Sequence, residues 1–309
     1  MIPQLRRHVS KFAVGVVIFT ALATFTQPAV ARTCDRACLG GLITEYLNDM
    51  VAHNPSALPV TAHVRFTENG SVMKLGQGLW QTASSLGAYR QDILDVRGHT
   101  AAAQTVVQEA GKPVLLAVRL KENDGKISQI ETMVVRNDKS AVLLNDRGFQ
   151  KGNEQMAFIP PASQLNSREQ AIKIAMYYPE GLKVGSFVQV NVPFAPGAYR
   201  IENGIHTAGP GCARAGCENI KTQKIIKHPN ITARVAAVDD RLGIVLLYLN
   251  FGHTKQYEKY GTDSAWLTFE AFKVYGGQIH AVNAILRMAS ASAGSGWGGE
   301  RPVKVPPAS

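Results

Sequence analysis

Several things are scarce in this chain, and each scarcity narrows what the protein can do. It has no glycine-rich phosphate loop, no His-Glu-x-x-His and no Gly-x-Ser-x-Gly elbow, which argues against nucleotide, metalloprotease and serine-hydrolase chemistry. Lysine and arginine are never clustered with aromatics, so nucleic acid is not an expected partner. Long apolar runs are missing except for FAVGVVIFTALATF at residues 12–25. That run is shorter than the roughly 20 residues a membrane-spanning helix needs. It follows Arg6, Arg7 and Lys11 and precedes Ala29-Val30-Ala31, a small-x-small cleavage signal. Residues 1–31 therefore read as a cleaved secretory signal peptide, which predicts a soluble periplasmic or secreted protein with no membrane association after cleavage. Without the leader's three cations the net charge falls from +10 to +7. Such a surface suits anionic or phenolic ligands, although a plain solvated basic surface is the better account of it.

Cysteine is also sparse: Cys34, Cys38, Cys212 and Cys217. Export implies an oxidising compartment, so disulfides are expected. Four cysteines allow three connectivities, of which local pairing is the simplest. A zinc site from His206, Cys212, Cys217 and His228 is the alternative, but its spacing fits no familiar pattern.

What is present is a repeat. RFTENG at 65–70 returns as YRIENG at 199–204, and the match extends without a gap over 58–70 and 192–204. A helical pattern precedes each copy. Leu39, Leu42, Ile43, Tyr46, Leu47 and Met50 form one stripe, and Ile172, Ala175, Met176 and Leu182 form another. Ser167 with Gln170 predicts a capping box, and Pro179 predicts a kink or early stop. Each copy closes on a glycine-turn hairpin, 124–136 and 276–287. Setting Ile127 on Ile279 places Ile130 on Val282 and Glu131 on Asn283. This is a tandem duplication. Its boundaries are a first domain at 32–137, a connector at 138–165 that packs on a domain, a second domain at 166–288, and a disordered tail at 289–309.

A leading helix, a strand ending in Glu-Asn-Gly and a closing Gly-Lys-Ile-x-x-Ile-Glu hairpin together resemble the SnoaL-like branch of the nuclear-transport-factor-like superfamily. More narrowly, the chain is similar to secreted proteins with a Cys-x-x-x-Cys-Leu segment and Arg-[Phe/Tyr]-Thr-Glu-Asn-Gly. The resemblance implies an α+β fold of two tandem cones, each a curved antiparallel sheet wrapped around N-terminal helices, with a pocket at the open end. It also implies cofactor-free isomerases, cyclases, dehydratases and lyases, alongside binding modules. The two copies would cover one another sheet to sheet, as an internal pseudo-dimer or as in a homodimer.

Strand alternation puts Phe66 with Glu68, and Arg200 with Glu202, on one face. Tyr199 and Asn203 fall on the other. Alternation also groups Glu131 with Ile127 and Met133, and Asn283 with Ile279 and Ile285. Candidate catalytic residues are Glu202, His206, Arg200 and His253: a carboxylate or imidazole to move a proton and a cation to steady an oxyanion. Candidate substrate-binding residues are Tyr199, Trp266, Asn283, Glu68, Glu131, Tyr46 and Trp80. Set against this, Glu-Asn before glycine can simply tie down a turn. No cofactor or metal is expected. The expected partner is a small aromatic or polyketide-like molecule, cleaved or isomerised by acid–base proton transfer, with a non-catalytic binding module as the alternative.

Overall fold

The computed structural model describes Met1, Pro3 and residues 34–141, 144–148, 153–212 and 214–305. The rest of the 1–31 leader lies outside the described residues. Asp35 caps the first helix by accepting from the Cys38 amide at 2.9 Å, and a Cys34–Cys38 disulfide spans the same turn. Helix α1 (Arg36–Val51) buries Leu39, Leu42, Ile43, Tyr46, Leu47 and Met50, the stripe expected from their spacing.

Six strands follow: β1 (Val60–Glu68), β2 (Ser71–Met73), β3 (Ala83–Asp95), β4 (Thr100–Glu109), β5 (Lys112–Asn123) and β6 (Lys126–Val135). They form one sheet in the order β2-β1-β6-β5-β4-β3. After a connector carrying the short α2 (Asn153–Ala157), the pattern returns with α3 (Arg168–Val184). Its strands are β7 (Phe194–Glu202), β8 (Ile205–Ala208), β9 (Thr232–Asp239), β10 (Ile244–Asn250), β11 (Ser264–Tyr275), β12 (Gln278–Ser290) and β13 (Arg301–Pro302). The second sheet runs β13-β9-β10-β11-β12-β7-β8, the first order with one strand added. Each sheet is antiparallel except where β1 meets β6 and β7 meets β12. The fold is α+β, with two tandem cone-like halves.

The Glu-Asn-Gly phrase has a backbone reason in both halves. Asn69 and Asn203 lie in the left-handed region (φ 55° and 46°), each followed by a glycine there. Each asparagine amide bridges to the neighbouring strand. Asn69 bonds both the Val134 amide and the Val134 carbonyl, and Asn203 does the same at Leu286.

Three cores result. One lies between α1 and the first sheet, one between α3 and the second sheet, and one between the two sheets. In the last, Ile93, Leu115 and Met133 of the first half meet Ile244, Phe269 and Ile285 of the second. Two reciprocal ion pairs cross between the halves. Arg36 grips Asp239 with two bonds of 2.8 Å, and Arg168 grips Asp95 at 2.8 and 2.6 Å. Each aspartate also accepts a backbone amide of the opposite strand, Leu94 to Asp239 and Val238 to Asp95, both at 2.9 Å.

The structure departs from the sequence reading in four places. Helix α3 runs through Pro179 to a left-handed Gly185, keeps its Ser167–Gln170 capping box, and faces the sheet with Ala171, Ala175, Tyr178 and Leu182, leaving Ile172 and Met176 half-buried. Both closing hairpins contain a bulge, at Ser128 and at His280, which have no strand partner. An extra residue flips the alternation. Ile127 and Ile279 therefore pack on the helix side, while Glu131 reaches Arg234 and the Asn283 side chain reaches Tyr89, each in the other sheet. The tail is ordered through residue 305. Val303 is buried, β13 pairs with β9, and Trp297 packs under Arg65. Those two apolar side chains outweigh the small-residue composition. The connector does pack, with Met156 buried between the sheets.

Arg36→Met leaves Asp239 buried without its cation and is expected to cost about 3 kcal/mol. The readout is a lower urea midpoint at unchanged slope. Arg168→Met is expected to cost a similar amount, since the two clamps are counterparts. Unchanged midpoints in both would remove the clamps from the account of how the halves hold together.

Candidate active site in the second half

Pairing registers place the chemistry. Glu202 of β7 lies beside Ala284 of β12, and Ala284 lies beside Glu270 of β11. Residues in one such row point to the same side. Strands are spaced about 4.8 Å apart, so the two glutamates start about 10 Å apart with one methyl group between them. In the neighbouring row stands Arg200, paired with Val282.

Arg200 is buried on the α3 side and fully engaged. It donates to Thr207 Oγ1 (2.9 Å), the Tyr178 hydroxyl (3.0 Å) and Gln223 Oε1 (3.5 Å), and pairs with Glu202 at 3.4 Å. Burial alone would lower its pKa, but Glu202, Tyr178 and Glu270 hold it above the ordinary value. Tyr178 also bonds Glu270. Glu270 is 1% exposed, and its Oε2 has no hydrogen-bond partner among the described residues. Burial, then the charge of Glu202, pushes the Glu270 carboxyl up to about 8; Arg200 and the Tyr178 bond oppose the shift. Thr268, one step along the same face of β11, likewise has an unpaired buried hydroxyl.

Aromatic rings stand nearby. Tyr257 lies edge-on to Trp266 (6.4 Å between centroids) and is stacked near His228 (5.8 Å). Phe251 also packs on His228, tilted, at 4.8 Å between centroids. Burial lowers the His228 pKa to about 4, so this imidazole is neutral. Burial raises the Tyr257 hydroxyl above the ordinary phenol range, and the charge of Glu202 adds to that shift. The second half thus offers two carboxyl groups, one guanidinium and one phenol next to an aromatic wall. Such a set can remove a proton at one atom and supply one at another.

The first half carries the same framework without the chemistry. Its row is Glu68, Thr132 and Val118, and Phe66 stands where the second half has Arg200. Leu116 matches Thr268, and Tyr46 matches Tyr178. Trp80 fills the remaining space, donating to the Tyr46 hydroxyl at 3.1 Å, with the rings edge to face at 5.3 Å. Glu68 accepts the Leu79 amide at 2.7 Å and pairs with Arg136 at 3.4 Å. Tyr46, Trp80 and Glu68 are therefore parts of a solid core and its loop, not pocket walls, because apolar neighbours and a backbone amide already occupy their reach.

The remaining candidates separate. Arg200, Glu202 and Trp266 belong to the α3 side of the second sheet. Tyr199 and His206 lie on the opposite face of the β7–β8 hairpin, since His206 pairs with Ile201, which packs in the inter-sheet core. His206 is thus not brought to Glu202. His253 ties a loop through Nδ1 to the Ser264 carbonyl at 3.0 Å. Glu131 is clamped between the sheets by Arg234 (2.6 Å) and Arg119 (3.5 Å), and the Asn283 carbonyl accepts from Gln104. Cys212 and Cys217 are joined in a disulfide, which removes them as zinc ligands.

Glu270, Tyr178 and Thr268 escaped the sequence reading. The signal was a carboxylate in the apolar strand AWLTFEAFKV with the same parity as Trp266. The partner of Glu270 is two strands away, which the sequence does not display.

A family model described as a domain of unknown function (DUF8021) matches residues 164–286, which hold α3 and most of the second sheet. Comparison with curated proteins finds no match. Three solved structures are similar to parts of the chain. One is a de novo designed protein with a curved β-sheet, at 15% identity over 33% of this chain and 88% of that one, TM-score 0.28. Another is a protein from Sphaerobacter thermophilus, at 13% identity over 31% and 94%, TM-score 0.25. The third, from Kribbella flavida DSM 17836, is described as a "putative ketosteroid isomerase", at 12% identity over 41% and 93%, TM-score 0.26.

Two buried groups make stability depend on pH in opposite directions. Folded Glu270 keeps a proton that the unfolded chain gives up, so its contribution is full below pH 4.5 and is lost as pH rises to about 8. Glu270→Gln is expected to flatten that decline in urea midpoints measured from pH 4.5 to 8. Folded His228 refuses a proton that the unfolded chain accepts, so stability falls as pH drops from 6.5 to about 4. His228→Phe is expected to remove that acid limb, worth about 3 kcal/mol at its full extent.

Proposed function

We propose that the protein is an exported, cofactor-independent lyase or isomerase built from tandem SnoaL-like domains, with the second domain active. In this reading residues 1–31 are a cleaved leader, 32–137 and 166–288 are the two domains, and 138–165 connect them. The protein works in the periplasm or outside the cell, and its two disulfides and its lack of a long apolar helix among the described residues fit that setting. The first domain serves as the structural partner of the second, in the manner of a subunit in a homodimer.

One observation carries the proposal. At matched positions the first half is apolar, while the second holds Arg200, Glu270 and Thr268, with a buried carboxyl oxygen that no group among the described residues satisfies. A polar group left unpaired in a core costs roughly 1–3 kcal/mol, so its retention points to a ligand that completes it.

The roles follow from the electrostatics. Glu202, held beside Arg200, is the base. Glu270, protonated up to about pH 8, is the acid. A small aromatic or polyketide-like substrate lies against Tyr257 and Trp266 with its carbonyl oxygen at Glu270. Glu202 removing a proton from the carbon beside that carbonyl, while Glu270 protonates its oxygen, gives an enol; the proton now on Glu202 passes to the β-hydroxyl, which leaves as water as the carbonyl re-forms and returns its proton to Glu270. Removing the proton of a β-hydroxyl instead breaks the adjacent carbon–carbon bond. An aldehyde such as formaldehyde is then released, and Glu270 protonates the resulting enolate. Tyr178 and Arg200 hold the two carboxyl groups in place.

The test incubates the purified protein, in chelator, with phenolic acids, aryl diols and polyketide fragments, followed by mass spectrometry and a formaldehyde assay. A substrate-specific loss of water or formaldehyde is expected. Glu202→Gln and Glu270→Gln should each slow it about 10²- to 10⁴-fold with the fold intact, and Glu68→Gln should leave it unchanged. Saturable binding without turnover across the panel would overturn the enzyme reading in favour of a small-molecule carrier.

A further inference from the structure

A hollow of about 440 Å³ lies along the outer flank of α3, between that helix, the loop before β7 and the β11–β12 turn at Gly277. Gln170, Lys173 and Tyr177 reach it from α3. They stand about a third of a turn round the helix from Ala171, Ala175, Tyr178 and Leu182, which face the sheet. Three amide side chains line the hollow, and each has its oxygen already committed. Asn166 Oδ1 accepts the Gly277 amide at 3.2 Å, Gln170 Oε1 the Ser167 amide at 3.1 Å, and Asn191 Oδ1 the Lys221 ammonium at 2.6 Å. All three partners are donors, so the oxygen end of each amide is fixed on the protein. The three NH2 groups are left without a hydrogen-bond partner among the described residues, as are the Lys173 ammonium and the Tyr177 hydroxyl. No carboxylate lines the hollow among the described residues; Glu180 feels the charge of Lys173 but lies outside the lining. Ile174 and Val190 add an apolar wall.

The duplication shows that these donors are peculiar to the second half. In the register that sets Tyr178 on Tyr46, Asn166 and Gln170 match Cys34 and Cys38, Lys173 matches Gly41, and Tyr177 matches Glu45. The first half joins its two cysteines in a disulfide, which donates nothing, and carries a carboxylate where the second has a phenol. A donor-rich corner has thus replaced a cross-link on the same framework.

We propose that this hollow binds a small organic carboxylate. An amide NH2 and an ammonium donate and cannot accept, so together they call for a ligand group that only accepts. The carboxylate head takes the amide donors and Lys173, and the apolar body lies against Ile174 and Val190. The volume lies in the range of small-molecule sites, roughly 300–1,000 Å³. None of these residues belongs to the acid–base cluster, and the site does not rest on the chemistry proposed there.

The probe is cyclohexanecarboxylate, titrated calorimetrically into the purified protein, with cyclohexanecarboxamide and sulfate as comparisons. Saturable binding of the carboxylate with one site per chain is expected, and the carboxamide and sulfate should each bind at least about tenfold more weakly. Two substitutions keep the structural bond and reverse the group offered to the ligand. Gln170→Glu still accepts the Ser167 amide and keeps the capping box. Asn191→Asp still accepts Lys221 and tolerates the left-handed backbone there (φ 49°). Each replaces an NH2 donor by a carboxylate oxygen and should weaken binding at least about tenfold with the melting temperature held. Lys173→Met, which keeps the stem and removes the charge, should weaken it about threefold. No saturable binding to the wild-type protein, a carboxamide or sulfate that binds as tightly as the carboxylate, or full binding in folded Gln170→Glu and Asn191→Asp would each overturn the proposal.

Discussion

Arg36 crosses to Asp239 and Arg168 crosses to Asp95, each from the first turn of a helix to the far end of a strand in the other half. Both aspartates are buried and also accept a backbone amide from the opposite strand. A buried carboxylate this well satisfied tolerates little displacement, because any shift leaves charge in a low-dielectric interior without its partner. The clamps therefore set the register of sheet on sheet. The inter-sheet core, Gln104 reaching the Phe269 and Asn283 carbonyls, and the Glu131–Arg234 pair all depend on that register.

With the halves joined this way, their insides are free to differ. The first half spends its interior on packing: Trp80, Phe66 and Tyr46 leave its glutamate bound to a backbone amide. The second keeps the tyrosine and the strand-end glutamate and adds Arg200, Glu270 and Thr268 at positions that are apolar in its twin. The solid half supports the polar one by presenting a rigid apolar face to its sheet. A rigid support of that kind lets a buried carboxyl keep an unsatisfied oxygen without collapse of the surrounding strands.

The tail extends the same logic to the outside. A tail that is small and glycine-rich in sequence nonetheless orders, because a single indole and a single valine find prepared places.

Much of the framework was legible from the chain alone. Repeating letters revealed the duplication, and the spacing of Leu39, Leu42, Ile43 and Tyr46 revealed the helix and its buried side, because those signals are local and periodic. Parity along β7 put Arg200 with Glu202 for the same reason. Parity failed at Ile127 and Ile279, where one bulged residue reverses faces, and a bulge depends on how two strands settle against each other. The pairing of Glu202 with Glu270 depends on a parallel contact between β7 and β12 and on the alanine between them. Residues 68 positions apart in the chain become neighbours only through that register. The sequence thus determined the repeat, the helix stripes and the turn chemistry. Tertiary structure decided which carboxyl groups are brought onto one face and which are neutralised by burial, because both depend on the distances between strands remote in sequence.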